Sequence, residues 1–204
     1  FVAGGIPGAG GGGRGGRGGG DAATPADLPA EYREQVGRVT ADKTLPKIRE
    51  FVENGGTVIA IGTSATNLAA YLRLPVESHL VEDGVPLPRT KFFVPGSVLR
   101  SRIDTTHTVA AGMNAYTHVF FDDSPVFGLG PGAAAAGIRT IAWYDSRTPL
   151  RSGWAWGQQY LENGVAALEA SVGKGKVLLF GPEILQRAQP HATFKFLFNG
   201  IYES

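Results

Sequence analysis

A short apolar segment between two helical patterns restricts the folds open to this chain. Residues Thr57–Gly62 are apolar and β-branched, which indicates a strand buried on both faces. A helical pattern over Thr44–Asn54 leads into it and stops at Gly55-Gly56, and a second helix is predicted from Thr63 to Leu72. Helix, strand, tight turn and helix in this order are typical of a doubly wound α/β sheet.

End signals and apolar spacing support both helices. Thr44 is predicted to cap the first helix, and Pro46 suits its first turn. Thr63 and Ser64 are predicted to cap the second. One apolar stripe follows the first helix and consists of Leu45, Ile48, Phe51 and Val52.

The second half of the chain predicts further strands and a closing helix. The predicted strands are Lys91–Val94, Val98–Ile103, Val119–Phe121, Arg139–Trp143 and Val165–Ala170. Gly173–Gly175 is typical of a hairpin turn, with Lys176–Phe180 as the returning strand. A helix is predicted over Thr193–Tyr202, with an apolar face formed by Phe194, Leu197, Phe198 and Ile201.

Residues 1–42 differ in character from the rest. Phe1–Ala3 reads as the tail of a buried strand, residues 4–20 are mostly glycine, and residues 21–42 are polar with a short helix expected from Pro29. Glycine contributes no side chain to a core, so a flexible insertion and a linker are expected there. We expect an α/β domain at residues 43–204 of a fragment whose upstream sequence is missing. A processed mature N-terminus at Phe1 is the alternative.

Composition argues against several functional classes. The net charge is +1 and the isoelectric point is about 8.2, which does not favour nucleic-acid binding. No apolar run reaches the roughly 18 residues of a membrane span. Cysteine is absent, which removes disulfides, thiolate zinc sites and cysteine nucleophiles from this chain.

Two groups of residues resemble known families. Residues 51–62 (FVENGGTVIAIG) resemble the approach to the nucleophile elbow in class I glutamine amidotransferase-like domains. Residues 173–181 (GKGKVLLFG), 187–191 (RAQPH) and 193–199 (TFKFLFN) resemble the C-terminal region of large bacterial M14-family zinc carboxypeptidase-like proteins. The resemblance implies a flavodoxin-like, class I glutamine amidotransferase-like sheet with flanking helices, whose N-terminal strands precede this fragment. It also implies a peptidase domain upstream of this chain.

The elbow is expected to lack chemistry. In the amidotransferase family a cysteine on this turn is the nucleophile, activated by a histidine. Gly62 best matches that position, and the chain has no thiol, so glutaminase activity is excluded. Ser64 could replace the nucleophile only with a histidine base and an oxyanion hole, and no Gly-x-Ser-x-Gly surrounds it. Helix capping by Thr63 and Ser64 is therefore the favoured interpretation.

No zinc site is expected within the chain. His79 and Glu82 form a His-x-x-Glu pair and His191 lies far downstream, which is the gross spacing of an M14 metal site. Such a site also requires a catalytic glutamate well beyond the last histidine, and only Glu203 follows His191. We expect no metal and no cofactor in this segment, and zinc only in the upstream domain.

Two polar groups near strand ends are candidate binding residues. Asp122-Asp123 could bind a cation or act on a glycoside, with a solvated turn as the alternative. Arg187, Gln189 and His191 follow the last strand, and ligands of open α/β sheets bind at the carboxyl ends of strands. Anchoring of the loop is the alternative for these three residues.

The loop Arg151–Gln158 is a candidate recognition surface. It combines Arg151, Trp154 and Trp156 with glycines, so it could form a platform for carbohydrate or peptide through stacking and cation–π contacts. Packing over the sheet edge or against a neighbouring domain is the alternative. Burial of both indole rings within the chain would exclude a platform.

Three functions follow from these expectations. The leading hypothesis is a non-catalytic accessory or interaction domain of a secreted, extracellular or periplasmic zinc carboxypeptidase-like protein, packing on or regulating its peptidase domain. The alternatives are a small-ligand module for peptide or carbohydrate and a degenerate hydrolase with its own activity. If N-terminal strands are missing, the sheet should expose an apolar edge that the upstream domain or a partner chain covers.

Overall fold

The secondary structure is described for residues 29–33 and 39–203 of the computed structural model, so the strand remnant and glycine-rich insertion expected in residues 1–28 lie outside it. The α-helices are α1 (Ala30–Arg33), α2 (Thr44–Glu53), α3 (Thr63–Leu72) and α4 (Phe194–Tyr202). The strands are β1 (Thr57–Ile61), β2 (Val76–Ser78), β3 (Val81–Glu82), β4 (Val85–Pro86), β5 (Ser97–Ile103), β6 (Tyr116–Phe121), β7 (Phe127–Leu129), β8 (Ile138–Trp143), β9 (Leu150–Ser152), β10 (Val165–Val172) and β11 (Gly175–Phe180). Short 3₁₀ segments cover Thr108–Ala110, Gln158–Leu161, Gln186–Ala188 and His191–Thr193.

One mixed sheet of nine strands forms the centre of the described part, with the main order β1-β11-β10-β8-β5-β6. Strand β1 pairs in parallel with β11, and the other pairings are antiparallel. Val172 pairs with Gly175, which confirms the predicted hairpin turn between β10 and β11. A two-residue loop can only join antiparallel strands, so the sheet is mixed rather than uniformly parallel. The predicted α/β class is confirmed.

Helices cover both faces of the sheet at β1 and β11. One core cluster includes Phe180 of β11 and Phe196 of α4, whose ring centroids lie 5.2 Å apart. The cluster on the other face includes Val52 of α2 and Leu68 of α3. Strand β1 contributes to both clusters through alternate side chains, so it packs on both faces as predicted, although only Ala60 of its five residues is fully buried.

The buried face of α4 differs from the predicted one. Phe196 and Gly200 are buried, whereas Phe198 and Ile201 are each 53% exposed. A Cβ at Gly200 would lie 2.8 Å from Leu178 Cδ1, so the missing side chain lets the helix approach the sheet closely. That approach fixes the rotation of α4 and turns part of its apolar side chains outward.

The predicted helix caps are also corrected. Thr44 does not cap α2, since its Oγ1 accepts a hydrogen bond from the preceding Thr40 N–H at 3.1 Å. Gly62 is the N-cap of α3, and no side chain caps that helix. Thr63 and Ser64 are instead exposed residues of its first turn.

Two further departures concern exposed or irregular segments. Phe51 of the predicted α2 stripe is 57% exposed, and its ring lies over Gly56, where a Cβ would be 2.3 Å from Cε1. The strand predicted at Lys91–Val94 is reduced to a single bridge between Phe93 and Trp156. Strands β2, β3, β4, β7 and β9 were not predicted, because segments of two or three residues carry too little periodicity.

Candidate functional site

Several candidate residues meet at one edge of the sheet. Strands β1, β6 and β11 run in the same direction, since β1 is parallel to β11 and the strands between β11 and β6 alternate. Gly62, Asp122 and Glu183 follow the C-terminal ends of these strands, so they lie at the same end of the sheet. Glu183 N–H donates to the carbonyl of Phe120 at 3.1 Å, which brings the segment after β11 to the end of β6.

The elbow at Gly62 keeps its turn without a reactive side chain. Gly62 has φ 60° and ψ −138°, and its N–H donates to Phe180 O at 2.8 Å. A Cβ at Gly62 would lie 2.9 Å from Glu183 Oε1, so a carboxylate adjoins the position where a nucleophile's side chain would begin. Burial raises the pKa of Glu183, and the charge of Asp122 adds to that effect. Sequence reasoning did not single out Glu183, because nothing in its local spacing links it to Gly62.

The two aspartates have separate structural partners. Asp122 Oδ1 accepts a hydrogen bond from Gly96 N–H at 3.1 Å, and Asp122 N–H donates to Ser124 Oγ at 3.1 Å. Asp123 adopts φ 45° and its Oδ2 lies 3.0 Å from Arg89 Nη2. Partial burial raises the pKa of Asp123, and Arg89 opposes that rise. These contacts match the interpretation of Asp122-Asp123 as a turn.

The residues weighed for zinc are engaged in different places. His79 Nε2 lies 3.0 Å from Glu162 O, and Glu82 forms an ion pair with Lys91. The ring of His191 lies 5.4 Å from that of Phe194. Among residues 29–33 and 39–203, no group of at least three His, Cys, Asp or Glu side chains could hold a metal ion.

The segment after β11 is anchored by a residue that was not predicted. The buried hydroxyl of Thr193 donates to Ile184 O at 2.6 Å and lies 2.8 Å from Pro190 O. Arg187, Gln189 and His191 are all exposed, and Arg187 has φ 47°. The structure thus fixes the backbone of this segment and leaves the side chains of its three candidate residues at the surface.

Both tryptophans of the aromatic loop are exposed. Trp154 is 54% and Trp156 55% exposed, so the condition that would have excluded a platform is not met. Phe93 and Trp156 exchange backbone hydrogen bonds of 3.0 and 2.9 Å, and the Phe93 and Trp154 rings lie edge to face with centroids 5.8 Å apart. We call Phe93, Trp154 and Trp156 the aromatic platform.

The arginine that contacts the aromatic platform is Arg89 and not Arg151. The Arg89 guanidinium carbon lies 4.7 Å from the centroid of Phe93. Arg151 Nη1 instead donates to Leu150 O at 3.2 Å, and its side chain is exposed. Sequence reasoning missed Arg89 and Phe93, because a single bridge between distant segments leaves no local pattern.

An open cleft adjoins Trp156. Its volume is about 420 Å³, and its lining includes Thr90, Lys91, Gln158, Gln159 and Tyr160 as well as Trp156. Gln158 Oε1 accepts a hydrogen bond from Leu150 N–H at 3.1 Å, which holds that side chain at the floor of the loop. Residues with hydroxyl and amide side chains therefore line the same cleft as an exposed indole.

A buried histidine lies elsewhere, under α4. His107 is 1% exposed, and its Nδ1 accepts a hydrogen bond from Val109 N–H at 3.2 Å. Its Nε2 lies 3.8 Å from Glu169 Oε2 and has no hydrogen-bond partner among the residues that the structure describes. Burial lowers the pKa of His107 despite the nearby carboxylate.

Comparison with known proteins gives a likeness of fold. Neither a protein-family model nor a curated protein matches the sequence. A β-galactosidase from Bacillus circulans sp. alkalophilus is similar in structure, with a TM-score of 0.51 and 11% identity over 79% of this chain and 21% of that one. This likeness shows a shared α/β fold and nothing about activity.

Two further solved structures match with lower scores. One is a protein described as ThuA-like from Bacteroides uniformis, at TM-score 0.45 and 12% identity over 79% of this chain and 63% of that one. The other is described as a GMP synthase subunit from Thermoplasma acidophilum, at TM-score 0.47 and 8% identity over 78% and 63%. The chain thus spans about a fifth of the β-galactosidase and less than two thirds of the other two.

Within the described ranges, no helix has the length and apolar character needed to cross a membrane.

Proposed function

We propose that this chain is a non-catalytic accessory domain that docks through the open side of β1 onto another domain of the protein to which it belongs. The resemblance of its C-terminal residues makes a secreted zinc carboxypeptidase-like protein the expected parent. The observation that carries the proposal is a strand edge without a strand partner among residues 29–33 and 39–203, beside an apolar helix flank.

The open edge follows from the pairing of β1. Strand β1 stands at the end of the strand order and pairs only with β11 in the described part. Gly62 N–H points to β11, and successive residues of a strand direct their N–H groups to opposite sides. The N–H groups of Ile59 and Ile61 therefore point away from β11, to the side where β1 has no strand partner within residues 29–33 and 39–203.

Helix α4 places apolar side chains beside this edge. Asn199 Nδ2 donates to Val109 O and Ala111 O, at 2.9 and 3.1 Å, in a loop whose His107 contacts β10. Strand β10 lies on the side of β11 opposite to β1. Helical periodicity puts Leu197 and Ile201 on the other side of α4, next to the open edge of β1.

An edge of this kind is a template for pairing with another strand, and natural proteins usually cover or charge it. Ile59 and Ile61 are apolar, and the adjacent Ile201 is 53% exposed. Burial of Ile201 by a second protein surface, together with new backbone hydrogen bonds at Ile59 and Ile61, would stabilise a docked domain.

The elbow supports the non-catalytic part of the proposal. Residue 62 has no side chain to act as a nucleophile, and the carboxylate of Glu183 adjoins that position. The shared fold occurs as about a fifth of the β-galactosidase polypeptide, which supports a role as one part of a longer protein.

Hydrogen–deuterium exchange tests the docking. The amides of Ile59 and Ile61 are measured in this chain alone and in the full polypeptide that its gene encodes. We expect fast exchange in the isolated chain and protection in the full protein, because docking supplies acceptors. Ile201→Lys in the full protein should restore fast exchange at both amides.

Val85→Lys is the matched control, since Val85 is also an exposed aliphatic residue, 64% exposed, but lies in the separate β3–β4 hairpin. It should leave the exchange of Ile59 and Ile61 unchanged. Equal exchange of these amides in the isolated chain and in the full protein would contradict the proposal.

A further inference from the structure

We propose that the aromatic platform and the adjoining cleft bind a neutral carbohydrate, with pyranose rings stacked on Trp154 and Trp156. This recognition site is independent of the docking edge of β1 and would give the accessory domain a ligand of its own.

The two indoles point to the same side of the loop. Ala155 packs into the core cluster, whereas its neighbours Trp154 and Trp156 are more than half exposed. Residues two apart in extended backbone share a face and lie about 7 Å apart. Phe93 is the bridge partner of Trp156 and therefore projects to the same side, while Phe92 and Val94 are buried. The two exposed indoles and the partly exposed Phe93 ring therefore lie on one side of the loop.

The surface is held in place before any ligand binds. The indole Nε1 of Trp156 donates to Thr90 O at 2.8 Å, and the backbone N–H of Trp154 donates to Ser97 Oγ at 3.0 Å. Gly153 and Gly157 have φ of 94° and 75°, and a Cβ at Gly157 would lie 2.0 Å from Lys91 O. Only glycine allows the loop to press this closely on its neighbours. Fixed aromatic rings lose little conformational freedom on binding, which favours affinity.

The two cationic side chains that contact Phe93 or line the cleft, Arg89 and Lys91, are both in ion pairs. Lys91 is paired with Glu82, and Arg89 Nη2 lies 3.0 Å from Asp123 Oδ2. A strongly charged ligand would compete with these ion pairs, so a neutral ligand fits the site better. The hydroxyl of Thr90 and the amides of Gln158 and Gln159 are groups that both donate to and accept from sugar hydroxyls.

A carbohydrate fits this surface better than a proline-rich peptide. Such peptides bind in grooves whose walls are aromatic side chains. Here Trp154 and Trp156 are two residues apart in one segment, so both exposed indoles project to one face and do not oppose one another across a groove. A β-linked pyranose presents a flat face of C–H groups, which the negative face of an indole attracts, and hydroxyl groups at its rim.

Titration calorimetry and tryptophan fluorescence test the proposal with three neutral β-1,4-linked probes: cellohexaose, mannohexaose and xylohexaose. We expect at least one of them to bind and to shift the fluorescence. Trp154→Ala and Trp156→Ala should each weaken that binding about tenfold or more, as truncation of a tryptophan at the centre of an interface does. Tyr32→Ala is the matched control, because Tyr32 is 50% exposed and lies on α1; it should bind as the wild type does.

Trp156→Phe separates loss of the ring from collapse of the loop. It keeps an aromatic face but lacks the hydrogen bond to Thr90. It should therefore retain more affinity than Trp156→Ala, although the two variants should melt at similar temperatures. Decaproline is titrated in parallel. The proposal is overturned if none of the three oligosaccharides binds, if both alanine variants bind them as well as the wild type, or if decaproline alone binds.

Discussion

The positive φ of Gly62 gives a quantitative prediction for Gly62→Ala. At φ 60° and ψ −138°, residue 62 occupies a region that side-chain-bearing residues rarely adopt, at a cost of about 1–3 kcal/mol. The added Cβ would also lie 2.9 Å from Glu183 Oε1. Because that oxygen is the free end of a flexible side chain, the carboxylate can move aside, and we expect the backbone term to dominate.

For a chain of this size, each kcal/mol lowers the melting temperature by about 2–4 °C. Gly62→Ala should therefore melt about 2–12 °C below the wild type, and urea denaturation should show a matching loss of unfolding free energy. The same substitution in a Glu183→Ala background separates the two contributions. If the backbone dominates, the two substitutions are additive within about 0.5 kcal/mol.

Gly84→Ala serves as the matched control. Gly84 has φ 77°, and nothing lies within 4 Å of the position that an added Cβ would take, so the substitution introduces backbone strain without contact. It should cost about 1 kcal/mol. The reasoning is refuted if Gly62→Ala is as stable as the wild type, or if its penalty disappears once Glu183 is removed.

Four further substitutions test individual polar side chains. Tyr144→Phe should raise the unfolding free energy measured in urea by about 1 kcal/mol, because the Tyr144 hydroxyl is buried without a partner in the described residues. Tyr116→Phe is the control, since it removes a 2.8 Å hydrogen bond to Asp145 and should lower the unfolding free energy. The raised pKa of Glu183 means that the folded state favours the neutral carboxyl group. The resulting contribution to the unfolding free energy is lost as pH rises through the raised pKa. Glu183→Gln should match the wild type near pH 4 and be more stable at about pH 7 in the same assay. The pKa of His107 is lowered, so the folded state favours the neutral ring and wild-type stability should fall as pH drops below about 6.5. His107→Gln should flatten that pH dependence in thermal melts followed by circular dichroism.

The longer elements of the fold could be predicted because their signals are local. Predicted and observed bounds agree within about three residues for β1, β5, β6, β8, β10 and β11 and for the principal helices. Each of these elements carries its own periodicity, and Gly173-Lys174 is a local turn signal for the hairpin between β10 and β11. Such signals need no knowledge of what the element packs against.

The rotation of α4 could not be predicted from the same information. Large apolar side chains surround most of the helix, so periodicity alone gives several candidate faces. The structure chooses the face with Gly200, because close approach to Ile59 and Leu178 requires a residue without a side chain. A glycine in the middle of an apolar helix is the signal that would have identified the buried face.

The candidate site was predictable only in part. Trp154 and Trp156 were singled out because aromatic residues between glycines are conspicuous in the sequence, and both are exposed. Phe93 and Arg89 join them through long-range pairing, which no local pattern encodes. The contact between Glu183 and Gly62 likewise depends on two strands that are parallel neighbours in the sheet and far apart in the chain.

The side of β1 that pairs with no other strand among the described residues has a consequence for the order of events during synthesis. If the covering domain precedes this chain in the polypeptide, it leaves the ribosome first and can fold before β1 appears. The backbone groups of Ile59 and Ile61 would then meet a finished surface as soon as β11 has paired with β1. A chain produced without that domain would have no such template, and its nascent strands would depend on the cell's chaperones to avoid pairing with one another.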